Sequence, residues 1–145
     1  MAKVLIAEDD LMIADAAEDV LVGAGYDVCG IARTVAGAVA LALLHKPDLV
    51  VIDLRLADDG LGIDIPPRLR ALERYGILYA TGNAAQVTLT DRDGDACLSK
   101  PYRSADLIRS LELVSEIIAT GNASPPFPNG FRMLPPAVKL AARGR

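Results

Sequence analysis

The feature that most narrows the choice of fold is the run Asp48–Leu54, DLVVIDL. Leu49, Val50, Val51 and Ile52 leave it no polar face, so it reads as a strand buried on both sides. Strands of that kind lie inside parallel sheets whose two faces are covered by helices. The run ends in a carboxylate, Asp53, and a turn rich in Asp and Gly follows.

The rest of the chain supplies the matching parts. Lys3–Ala7 reads as another buried strand, Tyr26–Ala32 as a strand near a sheet edge, Gly76–Ala80 as a fourth and Asp95–Leu98 as a short fifth. Helical periodicity marks Leu11–Gly23, with Asp10 as N-cap, and Val35–Leu44, capped by Thr34. Pro66-Pro67 suit the first turn of a helix ending near Arg74. Ser104 is placed to cap a last helix, Ala105–Ala119. Ala84–Gly94 should hold the fourth helix, but Val87, Thr88, Thr90 and Asp93-Gly94 form helix poorly, so a short or mobile segment is expected. Strands alternating with helices predict an α/β fold with a doubly wound parallel sheet.

At 145 residues the chain fits one domain, residues 1–120, followed by a tail, 121–145. The tail contains five prolines and four basic residues but no acid; it is expected to be partly extended, with a short helix at Ala137–Ala142. The formal net charge of −4 speaks against non-specific nucleic-acid binding. No apolar run approaches a membrane span, and Cys29 and Cys97 sit in apolar runs that suit free thiols in a reducing compartment. A cytoplasmic location is the expectation.

In a doubly wound sheet, ligands bind beyond the carboxyl ends of the strands. Polar residues gather at those ends: Glu8-Asp9-Asp10 after the first strand, Asp53 after the third, Thr81-Gly82 after the fourth and Lys100-Pro101 after the fifth. Two carboxylates about 4 Å apart repel by roughly 4 kcal/mol at an effective dielectric near 20, so such a cluster calls for a cation. Carboxylates, a backbone carbonyl and water suit Mg²⁺, with Asp9, Asp53 and the Arg55 carbonyl as ligands and Glu8 acting mainly through metal-bound water. Lys100 adds a positive point donor for phosphate, Thr81 adds a hydroxyl, and Gly82 leaves the approach open. His45, the only histidine, reads as a helix-end residue beside Pro47.

Over about residues 2–120, this pattern resembles the receiver domain of bacterial response regulators. The resemblance rests on Glu8-Asp9-Asp10, Asp53, Thr81-Gly82 and Lys100-Pro101. It implies a flavodoxin-like (βα)5 three-layer sandwich with strand order 2-1-3-4-5. It also implies Mg²⁺-dependent transfer of a phosphoryl group from a sensor histidine kinase, or a histidine phosphotransfer protein, onto Asp53. Slow self-dephosphorylation would follow, with Arg55 and Asn83 flanking the path of hydrolytic water. The family signals, and can pair weakly as a homodimer, through its fourth helix, fifth strand and fifth helix.

Two positions depart from the common pattern. Cys97 stands where most receivers carry an aromatic switch residue, and the fourth strand reads Tyr79-Ala80-Thr81-Gly82. The latter is similar to the "FAT-GUY" receiver subgroup, associated with kinases of the HWE type. A weak fourth helix with no ring to gate favours an order–disorder switch over residues 82–94. Among other readings, a phosphohydrolase of the haloacid-dehalogenase type needs an acid where Arg55 stands. A pseudo-receiver that never takes phosphate has no need of the acids, Thr81 and Lys100 together. A tail of this length predicts no DNA-binding domain of its own, so output is expected through partner binding or onward phosphotransfer.

Overall fold

The computed structural model describes residues 2–82 and 88–137. Its elements are β1 (Lys3–Ala7), α1 (Leu11–Gly23), β2 (Asp27–Ala32), α2 (Val35–His45), β3 (Leu49–Ile52), β4 (Gly76–Thr81), β5 (Ala96–Ser99), α3 (Ser104–Thr120) and β6 (Phe131–Met133). The sheet order is β2-β1-β3-β4-β5-β6. The first five strands pair in parallel, in the expected 2-1-3-4-5 order, and β6 adds an antiparallel edge strand beside β5.

Alternation along the strands divides the core into two layers. Val4, Ile6, Leu49, Val51, Leu78, Ala80, Ala96 and Leu98 face α1 and α3, where they meet Ala14, Ala17, Leu21, Leu107, Leu111 and Val114. The intervening residues Leu5, Ala7, Val50, Ile52, Ile77, Tyr79 and Cys97 face the other side, against Ala38, Val39, Ala42, Ile65 and Leu69. Successive strand side chains point to opposite faces, so a continuous apolar run is what a two-sided core requires.

Local chemistry sets the helix boundaries. Asp10 caps α1 by accepting from Met12 N at 3.0 Å and Ile13 N at 3.3 Å, and Thr34 caps α2 by accepting from Gly37 N at 3.0 Å. For α3 the N-cap residue is Arg103, which makes no side-chain cap, and Ser104 is already helical. The segment expected to be an α-helix ending near Arg74 forms two 3₁₀ turns instead, Gly62–Asp64 and Pro66–Leu69. The bonds that form are i→i−3: Ile65 N to Gly62 O at 3.1 Å, Arg68 N to Ile65 O at 3.0 Å and Leu72 N to Leu69 O at 3.0 Å. Buried Ile65 and Leu69 hold those turns against the sheet.

In the segment where the fourth helix was expected, residues 88–94 are turn and coil, and residues 83–87 lie outside the described part. Most of the helix expected at Ala137–Ala142 also lies outside it. Cys29 and Cys97 are free thiols. Among the described residues, no helix is long and apolar enough to cross a membrane.

Candidate functional site

Three site residues are fixed by hydrogen bonds one step past the end of a strand. Glu8 N donates to Ala32 O at 2.9 Å, Asp53 N to Ala7 O at 2.9 Å and Lys100 N to Thr81 O at 3.1 Å. Each continues the spacing of the parallel ladder beyond its last paired residue. The backbone positions of an acid, a second acid and a lysine are thereby set by the sheet itself.

Their side chains converge. Lys100 Nζ donates to Glu8 Oε1 and, at 3.1 Å, to Asp53 Oδ2. Glu8 Oε2 accepts from Asp10 N at 3.2 Å, and Asp53 Oδ1 accepts from Arg55 N at 3.4 Å. Glu8, Asp9 and Asp53 each offer a carboxylate oxygen, all within 4.8 Å of one another. An all-oxygen set of three acids on one patch has the donor chemistry of a hard divalent cation such as Mg²⁺. Glu8 is only 5% exposed and Thr81 1%, whereas Arg55 is exposed.

Burial raises the Glu8 carboxyl to about 7, with the Lys100 and Asp10 hydrogen bonds pulling the other way and Asp53 adding to the rise. Burial lowers Lys100, but its hydrogen bonds to Glu8 and Asp53 and their charges outweigh that, so its pKa lies above the ordinary lysine value. The ammonium therefore stays charged and compensates two of the three acids.

The structure thus brings Glu8, Asp9, Asp53 and Lys100 together, with Thr81 bonded through its carbonyl to the lysine backbone. At Gly82 an added Cβ would meet nothing within 4 Å. Asn83 lies outside the described residues. Cys97 is fully buried and pairs in register with Tyr79, whose hydroxyl donates to Asp93 O at 2.8 Å.

One residue that shapes the site gave no sequence signal beyond being a glycine in a turn. A Cβ on Gly62 would lie 2.1 Å from Asp53 O and 2.6 Å from Ile52 Cγ2. The turn after β3 folds back so closely, with Gly62 N donating to Leu54 O at 2.8 Å, that only hydrogen fits there.

Beside the acids, between α1 and α3, runs a groove of about 550 Å³ lined by Met12, Ile13, Val20, Lys100, Tyr102 and Leu107 among others.

The profile of the response regulator receiver domain matches residues 4–112. The chain belongs to this family. Among its relatives is the transcriptional regulatory protein PdtaR of Mycobacterium tuberculosis, 36% identical over 115 residues, a match covering 77% of this chain and 55% of PdtaR. The phyllosphere-induced regulator PhyR of Methylorubrum extorquens is 32% identical over 107 residues, covering 72% of this chain and 40% of PhyR. This receiver domain thus spans about half the length of the curated relatives it matches. The solution structure of the Erythrobacter litoralis PhyR receiver domain superposes with a TM-score of 0.68 at 25% identity, covering 86% of this chain and 95% of that one. A mutant of the anti-anti-sigma factor PhyR from Bartonella quintana gives 0.62 at 30% identity, covering 71% of this chain and 43% of that one. The flavodoxin-like fold and the place of this receiver domain in two-component signalling follow from these likenesses.

Proposed function

We propose that this receiver domain accepts a phosphoryl group on Asp53 from a phosphohistidine donor. The observation that carries the reading is the Lys100 ammonium shared between Glu8 and Asp53, with Asp9 beside them. A structural salt bridge needs one acid per lysine, whereas three acids around one ammonium repel unless Glu8 keeps its proton or a cation binds.

In the transfer, an Asp53 carboxylate oxygen attacks phosphorus in line, the P–N bond breaks, and the imidazole leaves with its electron pair and takes a proton from solvent. Lys100 neutralises charge on the phosphoryl oxygens, and Thr81 supplies a hydroxyl to one of them. Glu8, Asp9, Asp53 and the Arg55 carbonyl would hold Mg²⁺, which when bound supplies Lewis-acid charge neutralisation. Arg55 and Asn83, each two places past a site residue, would tune the lifetime of the acyl phosphate.

The groove between α1 and α3 suits the donor, because it is apolar, opens beside Lys100, and leaves Met12 83% exposed to meet a helix. A sensor kinase, of the HWE type on the Tyr79-Ala80-Thr81-Gly82 pattern, or a histidine phosphotransfer protein would dock there. The protein would act in the cytoplasm as a signalling phosphoacceptor that catalyses only its own phosphorylation and dephosphorylation. Its output would run through partner binding or onward transfer.

Intact mass after incubation with acetyl phosphate or phosphoramidate and Mg²⁺ tests the proposal. One phosphoryl group is expected on the native chain and none on Asp53→Ala. No added mass on either would leave the pseudo-receiver reading, a module that binds without phosphate.

A further inference from the structure

The segment after α3 turns back onto the sheet. β6 pairs antiparallel with β5, opposing Met133 to Ala96, Arg132 to Cys97 and Phe131 to Leu98. Leu134, 5% exposed, enters the core layer that holds Leu89, Tyr79 and Cys97. Four further bonds fix its ends: Ser99 N to Gly130 O at 3.1 Å, Leu134 N to Asp95 O at 3.1 Å, Asp91 N to Pro135 O at 2.8 Å and Ala137 N to Asp91 Oδ1 at 3.1 Å.

These bonds fall on β5 and on the connection that leads into it, and β5 reaches the acidic site. The residue after β5, Lys100, reaches Glu8 and Asp53. The connection, 88–95, leads into β5 and bonds Pro135 and Ala137 through Asp91. Lys100 N is bonded to Thr81 O on one side, and the neighbouring Ser99 N to the tail on the other. A phosphoryl group on Asp53 would make a new claim on the Lys100 ammonium and draw on the Ser99–Lys100 backbone.

We propose that residues 130–137 are an intramolecular strap whose docking competes with the phosphorylated arrangement of the site. Docked, the strap covers the row of N–H and C=O groups along β5 that a bare edge strand would present. A three-residue edge strand, held by Leu134 in one core layer and by partly buried Phe131 against the other, is a small unit able to open without unfolding the sheet. Once released, the β5 edge would take an extended, antiparallel segment of a partner protein with an aliphatic side chain to fill the place of Leu134. The inference rests on Asp53 being the phosphoacceptor, and linkage makes it reciprocal: loosening the strap must favour the phosphoryl-like state.

The test is hydrogen exchange on the full chain with and without beryllofluoride and Mg²⁺, with analogue binding followed separately by fluorine NMR. Bound analogue should speed exchange in peptides spanning residues 128–137 by about five-fold or more, and Leu134→Asp should bind the analogue more tightly by a similar factor. Leu134→Ala serves as the milder variant where the buried charge unfolds the domain. Bound analogue with unchanged exchange in the tail, or unchanged affinity in a folded Leu134 variant, overturns the strap alone. Absence of analogue binding in every form overturns the strap and the phosphoacceptor reading together.

Discussion

Lys100 Nζ donates to Asp53 Oδ2 at 3.1 Å, joining residues 47 positions apart in the chain. The same ammonium bonds Glu8, so a single cation ties the end of β5 to the ends of β1 and β3. Removing it as Lys100→Met leaves three acids with their mutual repulsion and a half-buried gap. Loss of one partner of a buried pair costs about 3–5 kcal/mol, and the partial exposure here brings the expectation to about 1–3 kcal/mol. Urea denaturation should register that loss, and Mg²⁺ should restore part of it. On the proposed phosphoacceptor reading, phosphoryl uptake from small donors should fall steeply, because the ammonium proposed to face the phosphoryl oxygens is gone.

Glu8 gives the apo protein a pH dependence of defined sign. Its carboxyl rises from 4.5 to about 7, chiefly through burial. Between those values the folded chain binds more protons at Glu8 than the unfolded chain does. The contribution of this group is therefore greatest below the unfolded pKa and is lost as pH climbs through the folded one. At about 1.4 kcal/mol per unit, the rise from 4.5 to about 7 makes the loss on the order of 3–4 kcal/mol. Melting temperature in EDTA should drop from pH 5 to pH 8, and Glu8→Gln should flatten that slope. Cation binding needs the carboxylate, so stabilisation by Mg²⁺ should grow over the same range.

Gly62 sets how closely the turn after β3 approaches the Asp53 backbone. With an added Cβ only 2.1 Å from Asp53 O, Gly62→Ala must displace either the turn or the Asp53 carbonyl. Overpacking of this kind costs about 1–3 kcal/mol or more. Phosphorylation should be slowed beyond what the stability loss explains, and the comparison is the rate at equal folded fraction. A variant with native phosphorylation kinetics would show that the turn moves and Asp53 does not.

Tyr79 uses its hydroxyl to hold the segment before β5, donating to Asp93 O at 2.8 Å from a fully buried ring. Tyr79→Phe leaves that carbonyl without its partner and should cost about 1–2 kcal/mol in thermal or urea unfolding. Exchange protection should fall locally around Thr90–Asp95, where Asp93 N also bonds Thr90 O. An unchanged melting curve would mean that water replaces the hydroxyl at no cost.

Much of this protein could be read without coordinates. The apolar runs at Val4–Ala7 and Leu49–Ile52 specify buried parallel strands, because only a sheet covered on both faces hides every side chain of such a run. Asp10 and Thr34 likewise identified their helix starts, since a cap needs only its own next three residues. The acids and the lysine were legible because the carboxyl ends of a parallel sheet share one edge.

Other features depended on contacts between distant segments. The turns at Gly62–Leu69 are 3₁₀ and not α-helical, with Ile65 and Leu69 held against the sheet in the core. Gly62 matters only through its contact with Asp53 O, which periodicity cannot register. The tail reads by composition as a Pro-rich linker, yet Phe131–Met133 becomes a strand because β5 has an edge to cover and Leu134 a core to enter. Local sequence determined the strands and the strand-end chemistry, since both follow from short-range pattern. Only the tertiary structure decided which edge is covered and which carboxylates share Lys100, because those pairings arise from packing segments far apart in the chain.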